Sequence, residues 1–375
     1  MTAKRPRSFI SVFGSLVGSD ELREVKESFD RQWLGIGPKT KAFETEFAKR
    51  LGLPGLALLD SGSNALYMAV KLLDLPAGSE VIVPSFTWIA CAHAVVLAGS
   101  KPVFCDVDLD THNATAATIA PCISPRTRAI MVVHYAGKPV DLDPILELGF
   151  PVIEDAAHAV DSKSKGRSCG GIGSVGIYSF DSVKNLAMGE GGGITSREPR
   201  LIERARTLRY CGIGKSGFEA SASKDRWWEY NVTDFFPKML PNDVAASIGL
   251  AQLRRLDRCQ RRRRRIWDTY QRQLADLDWL VQPRGPEEDE QHSYFTYCVR
   301  VLGGRRDAFA KYLYDRGIYT TLRYHPLHLN PIYGSKARLP ICERLNEEAL
   351  SLPIHPRLTD RDVAKVLSAV RRFQA

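Results

Sequence analysis

The sequence shows no metal-ligand spacing, no apolar run of membrane length and no biased tract. Its eight cysteines stand at 91, 105, 122, 169, 211, 259, 298 and 342, without a C-x-x-C pair or any zinc-type spacing. That argues against a zinc framework and suits reduced thiols inside a cell. No stretch approaches the roughly twenty consecutive apolar residues a membrane span needs. The opening MTAKRPRSFISVFGSLVGSDELREV interrupts its apolar part with glycine and serine and has no A-x-A site, unlike a secretory leader. We expect a cytoplasmic protein with no membrane partner and no bound metal.

Disorder and repetition are absent too. Hydrophobic residues at 44% and charged residues at 25% describe an ordinary globular chain. At 375 residues it is too long for one small core, which points to one large and one smaller domain. The net charge of +9 suits an anionic partner: nucleic acid, a membrane surface or a phosphorylated small molecule. Much of the excess lies in RRLDRCQRRRRRIWDTYQRQL, where Arg261 to Arg265 precede Ile266, Trp267 and Tyr270 at helical spacing. We read this run as a solvated basic helix face. An anion-binding surface is the alternative.

Residues 19–31 and 39–51 have the pattern of amphipathic helices, joined by the glycine-proline loop WLGIGPKT. LALLDSGSNALYMAVKLL then reads as strand, turn and helix, EVIVPS as a strand, WIACAHAVVLAG as a helix and KPVFCDVD as a strand. AIMVVHYAG, PVIEDAAHAV and VGIYSF continue as short β-rich runs ending in polar residues or glycine. Buried strands alternating with helices predict an α/β fold with a mostly parallel sheet. Ligands of such sheets bind beyond the carboxyl ends of the strands, so Ser61, Ser85, His134, Asp155 and Ser179 are the first candidates for chemistry. After about residue 250 the pattern gives way to a long basic helix, the linker QPRGPEEDEQ and shorter pieces, so we place the domains at 1–250 and 251–375.

Asp155 follows the apolar run VIE, where a carboxylate is costly unless partnered; capping a helix would serve it equally well. Lys184 follows another strand end in SFDSVKNLAMGEGGG, flanked by Asp181 and Glu190, and could instead be a phosphate contact or a surface charge. The turn SGSNAL opens a helix whose free N–H groups make an anion site. An anion cradle, a carboxylate and a lysine together meet the needs of pyridoxal 5'-phosphate (PLP). Nearby cations would help keep some of the lysine neutral.

Here the sequence resembles the DegT/StrS-type sugar aminotransferases. The matching stretches include WLGIGPKTKAFETEFAKRLG, SGSNAL, VIEDAAHAV, GSVGIYSFDSVKNLAMGEGGGITS, NDVAASIGLAQL and SLPIHPRLTDRDV, in family order along nearly the whole chain. The resemblance implies the PLP-dependent fold type I: a large domain with a mostly parallel seven-stranded sheet and a smaller α+β C-terminal domain. It makes Lys184 the Schiff-base lysine and Asp155 the partner of the pyridine nitrogen. It puts Trp88 on the cofactor ring, Gly62, Ser63 and Ser179 on the phosphate, and His158 on the ring hydroxyl. A branch of the family that dehydrates its substrate has histidine at the lysine position, so the intact Lys184 implies amino transfer.

The resemblance further implies a nucleotide-linked ketosugar as substrate, usually an amino acid such as L-glutamate as donor, and a homodimer serving aminosugar formation for a polysaccharide or an antibiotic. WLGIGPK, YCGIGKSGFEASASKDRWWEYN and LRYHPLHLNPIY resemble the substrate-lining loops, with Tyr324, His325 and His328 as candidate contacts. Many members have a Y-N-x-x-D run whose Asn reaches the partner subunit's phosphate. This chain reads FFPKMLPNDVAASIGL, with Leu240 near that place and Lys238 or Asn242 beside it. A ketocyclitol aminotransferase is the alternative within the fold. A basic regulator that retains PLP is the alternative outside it, although no nucleic-acid recognition module accompanies the arginine run. We expect no nucleic-acid partner.

Overall fold

A computed structural model describes residues 9–213, 228 and 230–374. Seven strands form one sheet in the order Ala57–Leu59, Gly192–Thr195, Val175–Ser179, Val152–Asp155, Thr127–Val133, Glu80–Pro84, Lys101–Cys105. Gly192–Thr195 runs antiparallel to both neighbours, and the other pairings are parallel. The parallel strands are covered on both faces, so Ile82, Ile130, Met131 and Ile153 are fully buried. Six of the seven strands are legible as apolar runs. The antiparallel one begins with two glycines, a composition that weakens a strand in isolation. Those glycines allow close packing: a Cβ on Gly193 would lie 2.7 Å from Leu56 Cδ1.

Helix Ser19–Asp30 and helix Pro38–Leu51 occupy the predicted positions and pack on helix Asp243–Gln273. Asp243 fixes the second of these by accepting from the N–H groups of Lys39 (3.1 Å) and Thr40 (2.9 Å). Asp243–Gln273 is a single helix of 31 residues, so a division at residue 250 would cut through it. The second hydrophobic core begins further along it, at Ile266, Trp267 and Tyr270, and draws in Ile10 from the chain's beginning. Ile10 pairs with Ile318, which attaches the N-terminal segment to the C-terminal unit. That unit contains the sheet Leu280–Val281, Tyr297–Val301, Ala349–Leu352 and the helices Arg306–Asp315 and Asp360–Arg371.

Arg261, Arg264 and Arg265 are exposed, as a solvated face requires, but the run also turns one arginine inward. Arg263 is 2% exposed, and its Nη1 donates to the carbonyls of Ile354 (3.0 Å), Phe295 (3.3 Å) and Tyr294 (3.4 Å). Burial lowers its pKa to about 10. Arg262 and Arg265 pair with Asp360, and Arg264 with Asp268. Arg262 and Arg263 thereby hold the helix against the C-terminal core. Among the described residues no helix is long and apolar enough to cross a membrane.

Candidate active site

Lys184 lies on the connection between Val175–Ser179 and Gly192–Thr195. Phe180 N–H donates to Gly191 O (2.8 Å) and Ser182 N–H to Gly189 O (2.9 Å), closing the loop at its base. Asp181 turns the chain toward the lysine: its Oδ1 accepts from Val183 N–H at 3.1 Å, and its carbonyl from Lys184 N–H at 2.9 Å. Leu186 and Met188 anchor the far side in the core, and Asn185 Nδ2 donates to Ser293 O at 2.7 Å. The lysine is thus presented by a loop held at both ends.

It opens into a cavity of 310 Å³ at the carboxyl ends of the parallel strands. Asp155, Gly62, Ser63, Ser179, Trp88, His158 and Tyr324 also line it. Asp155 ends its strand 4% exposed; Oδ1 accepts from Ala157 N–H at 2.9 Å and Oδ2 from Cys91 Sγ at 3.2 Å. Ser61 caps helix Gly62–Leu72, its Oγ accepting from Asn64 N–H at 3.2 Å, which leaves Gly62 and Ser63 at the helix's open end. Gly62 and Ser179 touch, since a Cβ on the glycine would lie 2.7 Å from Ser179 Cβ. Helix start and strand end therefore converge on one corner, where the helix's free N–H groups suit an anion.

Burial, then the positive charge of Arg323, lowers the Lys184 pKa to about 8, with Asp155 and Asp181 opposing. Its ammonium lies 5.0 Å from the Phe295 ring centroid. Phe295 stacks on His158 with centroids 4.1 Å apart. Burial, then Lys184 and Arg323, holds His158 well below the usual histidine range, so the ring is neutral. Its Nε2 lies 3.1 Å from Tyr324 Oη, and its Nδ1 is buried without a partner among the described residues. Trp88 is half exposed, 5.6 Å from Tyr324 between ring centroids. Glu190 also reaches the cavity, its pKa raised by partial burial and then by Asp181 and Asp60.

Other candidates lie elsewhere. His134 is fully buried, Nδ1 accepting from Val140 N–H and Nε2 facing Glu154, both at 3.0 Å, and is structural. His328 does not line the cavity, because the turn Leu327–Leu329 directs it inward, where Nδ1 lies 2.7 Å from Ser85 Oγ. His325 is exposed, with Nδ1 3.0 Å from Asn346 Oδ1. Asn242 caps its own helix by accepting from Ala245 N–H at 2.8 Å, and Lys238 is exposed. In the segment 210–231, residues 214–227 and 229 lie outside the described residues. Arg323 lines the cavity without having been anticipated, although it lies within the quoted LRYHPLHLNPIY, and Phe295, whose ring lies near both Lys184 and Arg323, has no signal in the sequence.

A mostly parallel sheet with a buried carboxylate, a lysine of lowered pKa and a helix start around one cavity defines a fold type I transferase, the architecture of PLP-dependent aminotransferases. Residues 16–371 match the model of the DegT/DnrJ/EryC1/StrS aminotransferase family. The chain is 39% identical over 364 residues to the dTDP-4-dehydro-2,3,6-trideoxy-D-glucose 4-aminotransferase of Saccharopolyspora spinosa, covering 95% of this chain and 94% of that one. It is 35% identical over 370 residues to the spore coat polysaccharide biosynthesis protein SpsC of Bacillus subtilis, covering 95% of each. The crystal structure of the aminotransferase TlmJ from Streptoalloteichus hindustanus matches with a TM-score of 0.91 at 44% identity, over 97% of this chain and 98% of that one. The chain belongs to the DegT/DnrJ/EryC1/StrS aminotransferase family.

Proposed function

We propose that this chain is a PLP-dependent aminotransferase that converts the keto group of a nucleotide-linked deoxysugar to an amine, with L-glutamate as donor. The observation that carries the proposal is the convergence of Lys184, Asp155 and the start of helix Gly62–Leu72 on one cavity. The donor set fits the cofactor: a buried carboxylate for a pyridine nitrogen, a lysine for a carbonyl, and helix N–H groups with Ser179 for a phosphate. His158 Nδ1, buried without a partner, is suited to a ring hydroxyl.

When bound, PLP supplies the electron sink that stabilises negative charge left on a substrate carbon after proton removal. Lys184 takes and returns that proton; with its pKa lowered to about 8, roughly a tenth of the amine is free at pH 7, far more than for an ordinary lysine. Asp155 keeps the pyridine nitrogen protonated through its buried charge. Gly62, Ser63 and Ser179 would hold its phosphate, and Trp88 would lie against its ring. Phe295, stacked on His158, sets an aromatic face beside the lysine amine.

The active unit is a homodimer. Supporting this, an apolar groove of 520 Å³ adjoins the cavity at Ser63, Trp88 and Ala90 and extends to Leu97 and Met239. Lys238, exposed next to Met239, is the better candidate for a contact across that interface, since Asn242 is committed to its helix cap. The nucleotide-sugar substrate draws on the Saccharopolyspora spinosa relative, whose name specifies a dTDP-linked keto sugar. The regulator alternative draws little support from the arginine run, because Arg263 is buried and Arg262, Arg264 and Arg265 pair with carboxylates, while Arg261 is exposed.

The test is the absorbance spectrum of the cofactor-loaded protein with L-glutamate, followed by UDP-, dTDP- and GDP-linked keto sugars. Conversion by glutamate and restoration by one keto sugar supports the proposal and names the substrate. Restoration by a ketocyclitol alone transfers it to the alternative within the fold. A protein that shows no lysine-linked cofactor band refutes it.

A further inference from the structure

Arg323 lines the cavity, and the assignment above gives it no task. It is 7% exposed, with its guanidinium carbon 3.7 Å from the Phe13 ring centroid and 5.0 Å from that of Phe295. Other buried arginines of the chain have partners. Arg209 Nη1 donates to Glu44 (2.6 Å) and to Leu58 O (2.7 Å), Arg300 pairs with Glu348 at 3.0 Å, and Arg263 holds three carbonyls. Arg323 forms no ion pair among the described residues, and its one side-chain hydrogen bond runs from Nη1 to Tyr324 Oη at 3.4 Å. A guanidinium carries five N–H donors in a planar fork. An unpaired buried cation is costly, so a cavity that retains one is built to receive an anion.

The position of Arg323 indicates which anion. Lys184 Nζ also lies 5.0 Å from the Phe295 centroid, so amine and guanidinium flank the same ring. An α-amino acid carries its carboxylate on the very carbon whose proton a transaminase moves. A nucleotide sugar carries its diphosphate at the anomeric carbon, with part of the sugar ring between that charge and the reacting carbon. A cation that shares a ring with the proton-transferring lysine matches the first arrangement. We propose that Arg323 is the carboxylate anchor of the amino donor, an α-amino acid whose Cα is thereby presented to Lys184. This rests on the aminotransferase assignment above.

The test compares wild type with Arg323→Gln and Arg323→Lys, all cofactor-loaded, titrated with L-glutamate in the absence of any keto sugar. Arg323→Gln should raise the glutamate concentration for half-conversion by about 10–100-fold, as expected for losing charge-assisted hydrogen bonds to a carboxylate. Arg323→Lys, which keeps the charge but not the fork, should fall between. Wild type should prefer L-glutamate to 4-aminobutyrate, which lacks the α-carboxylate, and Arg323→Gln should lose most of that preference. A second readout uses cofactor-free protein: calorimetric affinity for 2-oxoglutarate should fall by a similar factor in Arg323→Gln, while affinity for dTDP stays within about twofold. Unchanged glutamate dependence in Arg323→Gln would overturn the proposal and leave the aminotransferase assignment standing. Weakened dTDP binding with unchanged glutamate dependence would overturn it in favour of a diphosphate contact. If wild type itself reacts with no amino acid, the underlying assignment fails and this inference with it.

Discussion

Cys91 Sγ donates to Asp155 Oδ2 across 3.2 Å, beneath the cavity floor. Burial, then the Asp155 charge, holds the thiol well above its usual pKa, so the donor keeps its proton. A thiol is a weak donor and steadies the carboxylate without withdrawing much of its charge. We expect Cys91→Ala to destabilise the cofactor-free protein by about 1–3 kcal/mol in urea unfolding, because a buried acceptor loses its partner. Cys91→Ser places a stronger donor there and should slow the glutamate half-reaction while raising stability. Equal stability of Cys91→Ala and wild type would mean that the thiol does not support Asp155.

The lowered pKa of Lys184 predicts a pH dependence with a definite sign. Cofactor capture requires the free amine, so its rate in the cofactor-free protein should rise with pH and level off above about 8, instead of near 10.5 for an ordinary lysine. Arg323→Gln removes a charge that lowers the pKa, so the midpoint should move up; Asp155→Asn removes one that raises it, so the midpoint should move down. Linkage gives a second check. Between about 8 and 10.5 the unfolded chain binds more of this proton than the native one, so this group makes stability increase with pH in that window. A capture midpoint near 10.5 in wild type would contradict the electrostatics of the site. Lys184→Ala should abolish the lysine-linked band and lower turnover by at least ~10²–10⁴-fold.

Arg263 yields a prediction about how the active-site wall is held. Its guanidinium binds the carbonyls of Tyr294, Phe295 and Ile354, and Phe295 is the ring beside Lys184 and His158. Arg263→Met fills a similar volume but leaves those carbonyls without their donor, at about 1–3 kcal/mol each where no water replaces it. Melting should show the loss. A shift in the pH midpoint of cofactor capture would show in addition that the Phe295 wall had moved. Stability unchanged from wild type would mean that the buried charge is dispensable.

Much of this site is legible in the sequence because parallel strands end at their ligands: Asp155, Ser179 and the helix start at Gly62 follow apolar runs and sit where that rule puts them. Lys184 is legible because glycines crowd after it. Arg323, which lines the cavity, and Phe295, whose ring lies near both cations, are not, since both come from the far part of the chain and only packing brings them near Lys184. His328 is misleading for a related reason. In RYHPLH a single turn decides which ring faces inward, and Ser85 captures this one. Arg263 is hidden among identical neighbours, and its burial depends on Ile354, 91 residues later.

Gly192 supports the phosphate corner from behind, and its substitution separates backbone strain from steric displacement. A Cβ there would lie 2.1 Å from Ser61 O and 2.8 Å from Gly62 N, both backbone atoms that move only if the helix start moves. Gly189, three residues before Gly192 in the loop that leads into its strand, has φ +87 and open space around its Cβ position. Gly189→Ala should therefore cost about 1 kcal/mol or slightly more in backbone strain and leave the corner intact. Gly192→Ala should cost more, about 1–3 kcal/mol, because overpacking displaces the N–H groups of Gly62 and Ser63. The distinguishing measurement is affinity for PLP against pyridoxal, which lacks the phosphate. Gly192→Ala should weaken PLP binding by tenfold or more on the order of one lost charge-assisted contact while changing pyridoxal little, and Gly189→Ala should change neither. If both substitutions weaken the two compounds equally, the helix start is not where the phosphate is held.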